Sequence, residues 1–377
     1  MWCYNTKNWK GVVIITKLNK NGKIEFVRFI FSLEIMFFHI FDLLLPKDFK
    51  ILDHITPFSG GWFGVEFFFV VSGYLMASTA LKNQSKKETA GKSTFEFMKR
   101  KLLSVLPYHL IIFTVSLIFL LVVNYEDVNS FLNMIVKVIP NFLFIQRSGL
   151  EVKDVLGVEW YISEMLFAML ILYPICKKYY DRFTRTVAPV VSVLIIGYLI
   201  KTTGTLGGST AWSVLVSKTL LRAIAEICAG VFVFEVARNI NKLNFSKKDK
   251  SLLTLLEIVS YGMIFAFIIW DFPESFSGTF FIFVCIAVCL SFSNVTYGST
   301  IFNNRVVYFL GALSLPLYLC QSLMRVISVS LFKNGLDFWL AVILFFVSTF
   351  VYALLAFALE KKLRKAILNK IEKLTRC

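Results

Sequence analysis

Arg28 and His39 stand eleven residues apart in RFIFSLEIMFFH, a run that is otherwise apolar but for Ser32 and Glu34. In a helix, eleven residues turn through 1100°, about 20° past three full turns, so the two side chains share one face about 16 Å apart along the axis. A guanidinium binds phosphate bidentately, and an imidazole changes charge near neutral pH. A charge inside a bilayer costs on the order of 2.5–3.5 kcal/mol on insertion scales, which makes an intramembrane ionisable residue a functional candidate. The plain alternative is an arginine that snorkels to the headgroups and a histidine packed in the core. Composition alone leaves these two readings level. Glu25, three residues before Arg28, is placed for an i,i+3 pair with it.

Other polar groups recur at similar depths. GWFGVEFFFVVSGYLM carries Glu66 among apolar residues. A carboxylate beside an imidazole holds its tautomer and stabilises the imidazolium, so Glu66 is expected to orient His39 as a general base. Gly61, Gly64, Ser72 and Gly73 in that run suit close helix packing. VEWYISEMLFAMLILYP places Glu164 and Ser163 behind Trp160 and Tyr161, which read most simply as interfacial belt aromatics. In LLRAIAEICAG, Arg222 and Glu226 are spaced i,i+4 and are expected to neutralise each other rather than to catalyse. GALSLPLYLCQSL puts Tyr318 and Gln321 toward one end of a span. The outer layer then holds His39, Glu66, Glu164 and Gln321. The inner one holds Arg28, Lys99, Arg100, Lys101 and Glu360, and its cations suit a phosphate-bearing donor.

The elements that position these groups are membrane helices. The 377 residues are 57% hydrophobic and only 17% charged, with 40 phenylalanines, and the mean hydropathy is +0.70. Apolar blocks of roughly 20 residues match a ~30 Å hydrocarbon core. They predict an all-α, polytopic transmembrane bundle of ten spans, at 24–46, 62–81, 102–124, 158–176, 186–202, 217–237, 252–270, 277–295, 306–324 and 337–359. Most of the 40 Lys and Arg residues fall in one alternate set of loops, which places both termini in the cytoplasm. The net charge of +16 is therefore read as a topology and lipid signal, not as a nucleic-acid surface. Within the longest outer loop, SFLNMIVKVIPNFLFIQR reads as a re-entrant or interfacial helix. Residues 1–22 read as a loosely ordered cytosolic arm, 23–365 as the membrane domain and 366–377 as a basic cytosolic tail. The seven cysteines lack a C-x-x-C pair and read as small apolar side chains, with no disulfide framework or metal site expected.

Taken in order, these segments resemble membrane acyltransferase family 3. Arg28, ten residues, then His39 is similar to its R-x10-H signature. GVEFFFVVSGYLM resembles its second-helix motif, FMKRKLLSVLPYHL the basic lead into its third helix, and VEWYISEMLFAMLILYP its Trp-led fourth span. LLRAIAEICAG, YFLGALSLPLYLCQSL and FALEKKLRK resemble later segments, ending on Glu360. The resemblance covers about 24–365. It departs at Ser104, where the family has a second basic residue, and at Gln321, where many members have a second histidine. It implies transfer of an acyl group, usually acetyl, from cytoplasmic acyl-CoA to a hydroxyl of a cell-surface polysaccharide or lipid-linked sugar. It further implies donor phosphates on Arg28, Arg100 and Lys101, catalysis at His39 either as general base on the acceptor hydroxyl or as a brief carrier of the acyl group, acetyl-CoA as donor, no metal, and a plasma (inner) membrane location among lipid. A reading from another class is a transporter or flippase of a polysaccharide precursor. The inverted repeats and midplane breaks usual in transporters are not evident.

Overall fold

The computed structural model describes residues 4–9, 12–17, 21–46, 55–123, 128–150, 152, 155–208, 210–213 and 216–376. An antiparallel ribbon joins β1 (Tyr4–Trp9) to β2 (Val12–Lys17). Helices follow: α1 (Gly22–Leu44), α2 (Gly64–Lys82, entered through a 3-10 turn at Gly61–Phe63), α3 (Ala90–Val123), α4 (Val128–Phe142) and α5 (Trp160–Lys178). The short α6 (Tyr180–Arg182) passes through a π turn at Phe183–Val187 into α7 (Ala188–Thr203). A two-residue pairing of β3 (Trp212–Ser213) with β4 (Val216–Ser217) leads into α8 (Lys218–Ile240). The chain closes with α9 (Lys247–Ile269), α10 (Ser277–Phe292), α11 (Ser299–Phe302), α12 (Arg305–Lys333) and α13 (Phe338–Arg376).

Each of the ten apolar segments read from the sequence forms a helix. Among the described residues, eight stretches are long and apolar enough to cross a membrane. The other two segments, α1 and α8, have 23 residues each, about 34 Å at 1.5 Å per residue, and carry Arg28, Glu34, Arg222 and Glu226 on buried positions. Helix starts are set locally. Asn21, Ser217 and Asn304 accept from backbone amides at the starts of α1, α8 and α12, and Ser246 with Asp249 closes a capping box on α9. The helix predicted within the long loop is α4, with 15 residues too short to cross. It leaves Val128, Leu132, Val136 and Ile139 exposed. Along α13, Leu340, Ile343, Val347, Val351 and Leu354 are exposed at helical spacing. An exposed apolar stripe of this kind is what hydrocarbon solvates.

Two pairs of helices position the polar groups. α2 and α8 cross backbone on backbone: a Cβ on Gly73 would strike the Ile227 carbonyl, and one on Gly230 would strike the Val70 carbonyl. Only glycine on both sides permits that approach. α1 and α12 run parallel, for Glu25 abuts Gly311 and, fourteen residues on, His39 meets Gln321. The cysteines predicted as apolar filler include Cys176, Cys228, Cys289 and Cys320, which are buried thiols, and Cys285, which is half-buried. Cys3 and Cys377 lie outside the described residues.

Candidate active site

The seam between α1 and α12 opens on a cleft of about 580 Å³, counting its mouth, lined by Arg28 of α1, Val65, Phe68, Val71 and Ser72 of α2, Val105 of α3, Tyr161, Ile162 and Met165 of α5, and Ser314, Leu315 and Tyr318 of α12. Its walls are mostly apolar, and Arg28 is the charged group on them. Arg28 is 7% exposed and donates from Nη1 to Glu25 Oε2 at 3.2 Å, as the i,i+3 spacing predicts. A guanidinium has five N–H donors, so this contact leaves others for a ligand. The Tyr161 and Ser72 hydroxyls lie 3.4 Å apart on the cleft wall. Tyr318 donates from Oη to the Val158 carbonyl at 2.7 Å, which ties α12 to the turn before α5.

His39 lies one helical turn beyond the cleft. Its Nδ1 is 3.1 Å from Gln321 Oε1, and Gln321 stands three residues past cleft-lining Tyr318. The histidine is half-buried. Glu66, expected to orient it, is engaged elsewhere. Its Oε2 accepts from Arg222 Nε at 2.9 Å and also from Nη2. Arg222 Nε also donates to Glu226 Oε1 at 3.0 Å. The i,i+4 pair predicted within one helix is therefore present, with Glu66 added across the α2–α8 crossing. Glu66 is diverted because the Gly73 and Gly230 contacts bring α2 onto α8, which puts Arg222 within its reach. All three charged groups are at most 1% exposed. The guanidinium lies 5.6 Å from the ring of Trp62 and 5.7 Å from that of Trp160, so Trp160 packs against a buried cation.

A family model described as an acyltransferase domain matches residues 21–358, nearly the whole chain. The chain belongs to membrane acyltransferase family 3. No curated protein and no solved structure matches it. This family 3 protein is a multi-pass membrane acyltransferase, and the site is to be sought among its intramembrane polar groups.

Several predicted site residues are brought together and others are not. Arg28 lines the cleft. Lys101 is 4% exposed and precedes Val105 by four residues on the same face of α3, one turn toward the start of that helix. Its ammonium lies 5.8 Å from the Phe97 ring. Arg100 is half-buried on an adjacent face. Glu360 pairs with Arg364, whose Nε donates to it at 2.6 Å. Glu164 accepts from Ser217 and Thr219 hydroxyls at 3.0 Å each, and Ser217 is the N-cap of α8. Glu164 thus fixes the entry of the helix that carries Arg222. Among the described residues no group of three or more His, Cys, Asp or Glu side chains is gathered as a metal site.

The acyltransferase also contains polar pairs that the sequence reading missed. His109 Nδ1 of α3 lies 2.9 Å from Glu159 Oε1, both groups fully enclosed, with the Phe144 ring centroid 4.2 Å from the imidazole. Phe144 itself holds φ at +57°, a region phenylalanine seldom adopts. His109 lies four residues past Val105 and Glu159 three before Ile162, so the pair sits one turn beyond the cleft wall. Lys23 donates to Glu257 at 2.7 Å, joining the first turn of α1 to the middle of α9. Glu34 fills the space above Gly61 and Gly64, where a Cβ at either position would collide with its carboxylate. A presence signal existed for each, since each is ionisable within an apolar block. His109 and Lys23 meet partners from remote segments, and Glu34 meets the remote Gly61 and Gly64, so none leaves a local spacing to read.

Proposed function

We propose that this membrane acyltransferase moves an acyl group, acetyl in our reading, from cytoplasmic acyl-CoA to a hydroxyl of a cell-surface polysaccharide or lipid-linked sugar in the plasma (inner) membrane. The observation that carries the reading is the α1–α12 seam. Arg28 opens on an apolar cleft, and His39, held by Gln321, lies about 16 Å further along the same helix face. In the proposed topology the N-terminus is cytoplasmic, so the arginine is at the donor's entry side. Arg28 takes donor phosphates, with Lys101 and Arg100 contributing positive charge from α3. The apolar walls accept the pantetheine arm and keep water from the thioester. His39 takes the proton from the acceptor hydroxyl as its oxygen bonds to the acyl carbon. The carbon–sulfur bond breaks, and the proton passes from His39 to the departing thiolate. Glu66, Glu226 and Arg222 form a frame that holds α2 against α8, and their contribution to catalysis is through that frame.

The test is acyl-CoA turnover by the purified full-length chain supplied with labelled acetyl-CoA and candidate saccharide acceptors. Label is expected in the acceptor. Wild-type protein that moves no label from any acyl-CoA overturns the donor assignment. Analysis of surface-glycan acetyl groups in a deletion strain tests the acceptor class, and unchanged acetylation of every surface glycan rejects it.

A further inference from the structure

We propose that Gln321 is a positioning residue that fixes the tautomer of His39, with the ring proton on Nδ1 and the lone pair on Nε2. The inference deepens the acyl-transfer reading and rests on it for its kinetic consequence. The geometry runs through three groups. Gln321 Nε2 donates to the Tyr318 backbone carbonyl at 3.0 Å, and Gln321 Oε1 lies 3.1 Å from His39 Nδ1. A backbone carbonyl can only accept, so the amide nitrogen must face Tyr318 and the amide oxygen must face His39. That oxygen also can only accept, so Nδ1 must donate. In a neutral imidazole one nitrogen donates and the other accepts, which leaves Nε2 as the basic atom.

Gln321 is fully buried, so water does not compete for its amide. Its backbone lies in the same turn of α12 as Tyr318, which closes the cleft. The ring is thus referenced to the cleft wall through one side chain. Gln321 is also neutral: it orients the imidazole in both charge states, because Nδ1–H donates to Oε1 whether or not Nε2 is protonated. A carboxylate there would add an electrostatic hold on the imidazolium. During transfer the acceptor's proton arrives at Nε2, the oxygen–acyl bond forms, the carbon–sulfur bond breaks, and the proton leaves Nε2 for the thiolate sulfur. Nδ1 keeps its own proton throughout.

The tautomer is read directly by 15N spectra of histidine-labelled, full-length protein in detergent, with the His39 signal assigned by its loss in His39→Gln. A protonated Nδ1 and an unprotonated Nε2 are expected in the neutral ring. An unprotonated Nδ1 overturns the proposal. In kinetics, Gln321→Leu should lower kcat about 10- to 100-fold, the usual cost of losing a group that orients a functional histidine, and leave KM for acetyl-CoA within about twofold. Gln321→Glu keeps an acceptor for Nδ1 but, when ionised, loses the donor to the Tyr318 carbonyl, so it should regain only part of that loss. A Gln321→Leu variant with wild-type kcat overturns it. Wild-type protein that consumes no acyl-CoA defeats the acyl-transfer reading alone, and the spectrum still decides the tautomer.

Discussion

The α2–α8 crossing and the α1–α12 seam both hold charge inside a helical bundle, yet they are built in opposite ways. At the crossing, Arg222 is enclosed by Glu66, Glu226 and two tryptophan rings, and it is 1% exposed. At the seam, Arg28 pairs with Glu25 and lines an open cleft. His39 is hydrogen-bonded to the neutral Gln321, with the Arg325 cation near enough to act on it. A buried cation enclosed by carboxylates and rings satisfies the fold, while a charge on an accessible apolar surface retains capacity for a ligand. Burial of an ionisable group within the membrane therefore does not by itself mark catalysis. What separates the two regions is whether the group has donors or acceptors still available where a substrate can reach.

The largest effect is expected at the seam. His39→Ala should lower acyl transfer by about 10²–10⁴-fold, the usual worth of a positioned acid–base group, while thermal unfolding in detergent stays within a few degrees of wild type. A variant that retains wild-type turnover would remove the seam from the chemistry. The converse is expected at the crossing. Arg222→Leu leaves Glu66 and Glu226 buried without their cation, at a cost of about 3–5 kcal/mol. It should cut the yield of folded protein and the midpoint of denaturation. Replacing all three by Met should recover much of that stability, since packed apolar groups substitute for a buried ion cluster at near-neutral cost. If the triple variant folds well but transfers no acyl group, the comparison fails and the crossing belongs to the site.

Sequence alone reached the helices because a membrane span is a local property: twenty apolar residues announce it without knowledge of any neighbour. Arg28, Glu25 and His39 were legible for the same reason, since three- and eleven-residue separations place them on one helix face. Arg222 and Glu226 were legible at four. Glu66 was assigned to His39 on equal depth, but depth says nothing about azimuth. The Gly73 and Gly230 contacts turn its helix toward Arg222. His109 and Glu159 were missed because they are 50 residues apart and meet only when α3 packs beside the turn into α5. Glu34 had no account from sequence. Its carboxylate lies over Gly61 and Gly64, so two glycines expected to serve helix packing make room for a side chain instead.

Arg28→Lys sharpens the contrast at the seam. A point charge replaces a planar fork that recognises phosphate bidentately. KM for acyl-CoA should rise roughly 10- to 100-fold, in line with about 1.5–3 kcal/mol for a charged hydrogen bond, and kcat should change little. Acceptor affinity should be unaffected. A loss confined to kcat would move Arg28 from donor binding into the transfer step.

The smallest effect probes the boundary between frame and site. Glu164 holds two hydroxyls at the first turn of α8, and that helix carries Arg222 to Glu66. Glu164→Ala removes two hydrogen bonds, worth about 1 kcal/mol each, so stability should fall by about 1–2 kcal/mol in chemical denaturation. Activity per folded molecule should hold, because Glu164 faces the N-cap of α8 and not the cleft. Glu164→Gln keeps one acceptor oxygen and should lie between the two. A more than tenfold loss of activity in folded Glu164→Ala would show that the entry of α8 sets the cleft's geometry, and the frame and the site would then be one coupled unit.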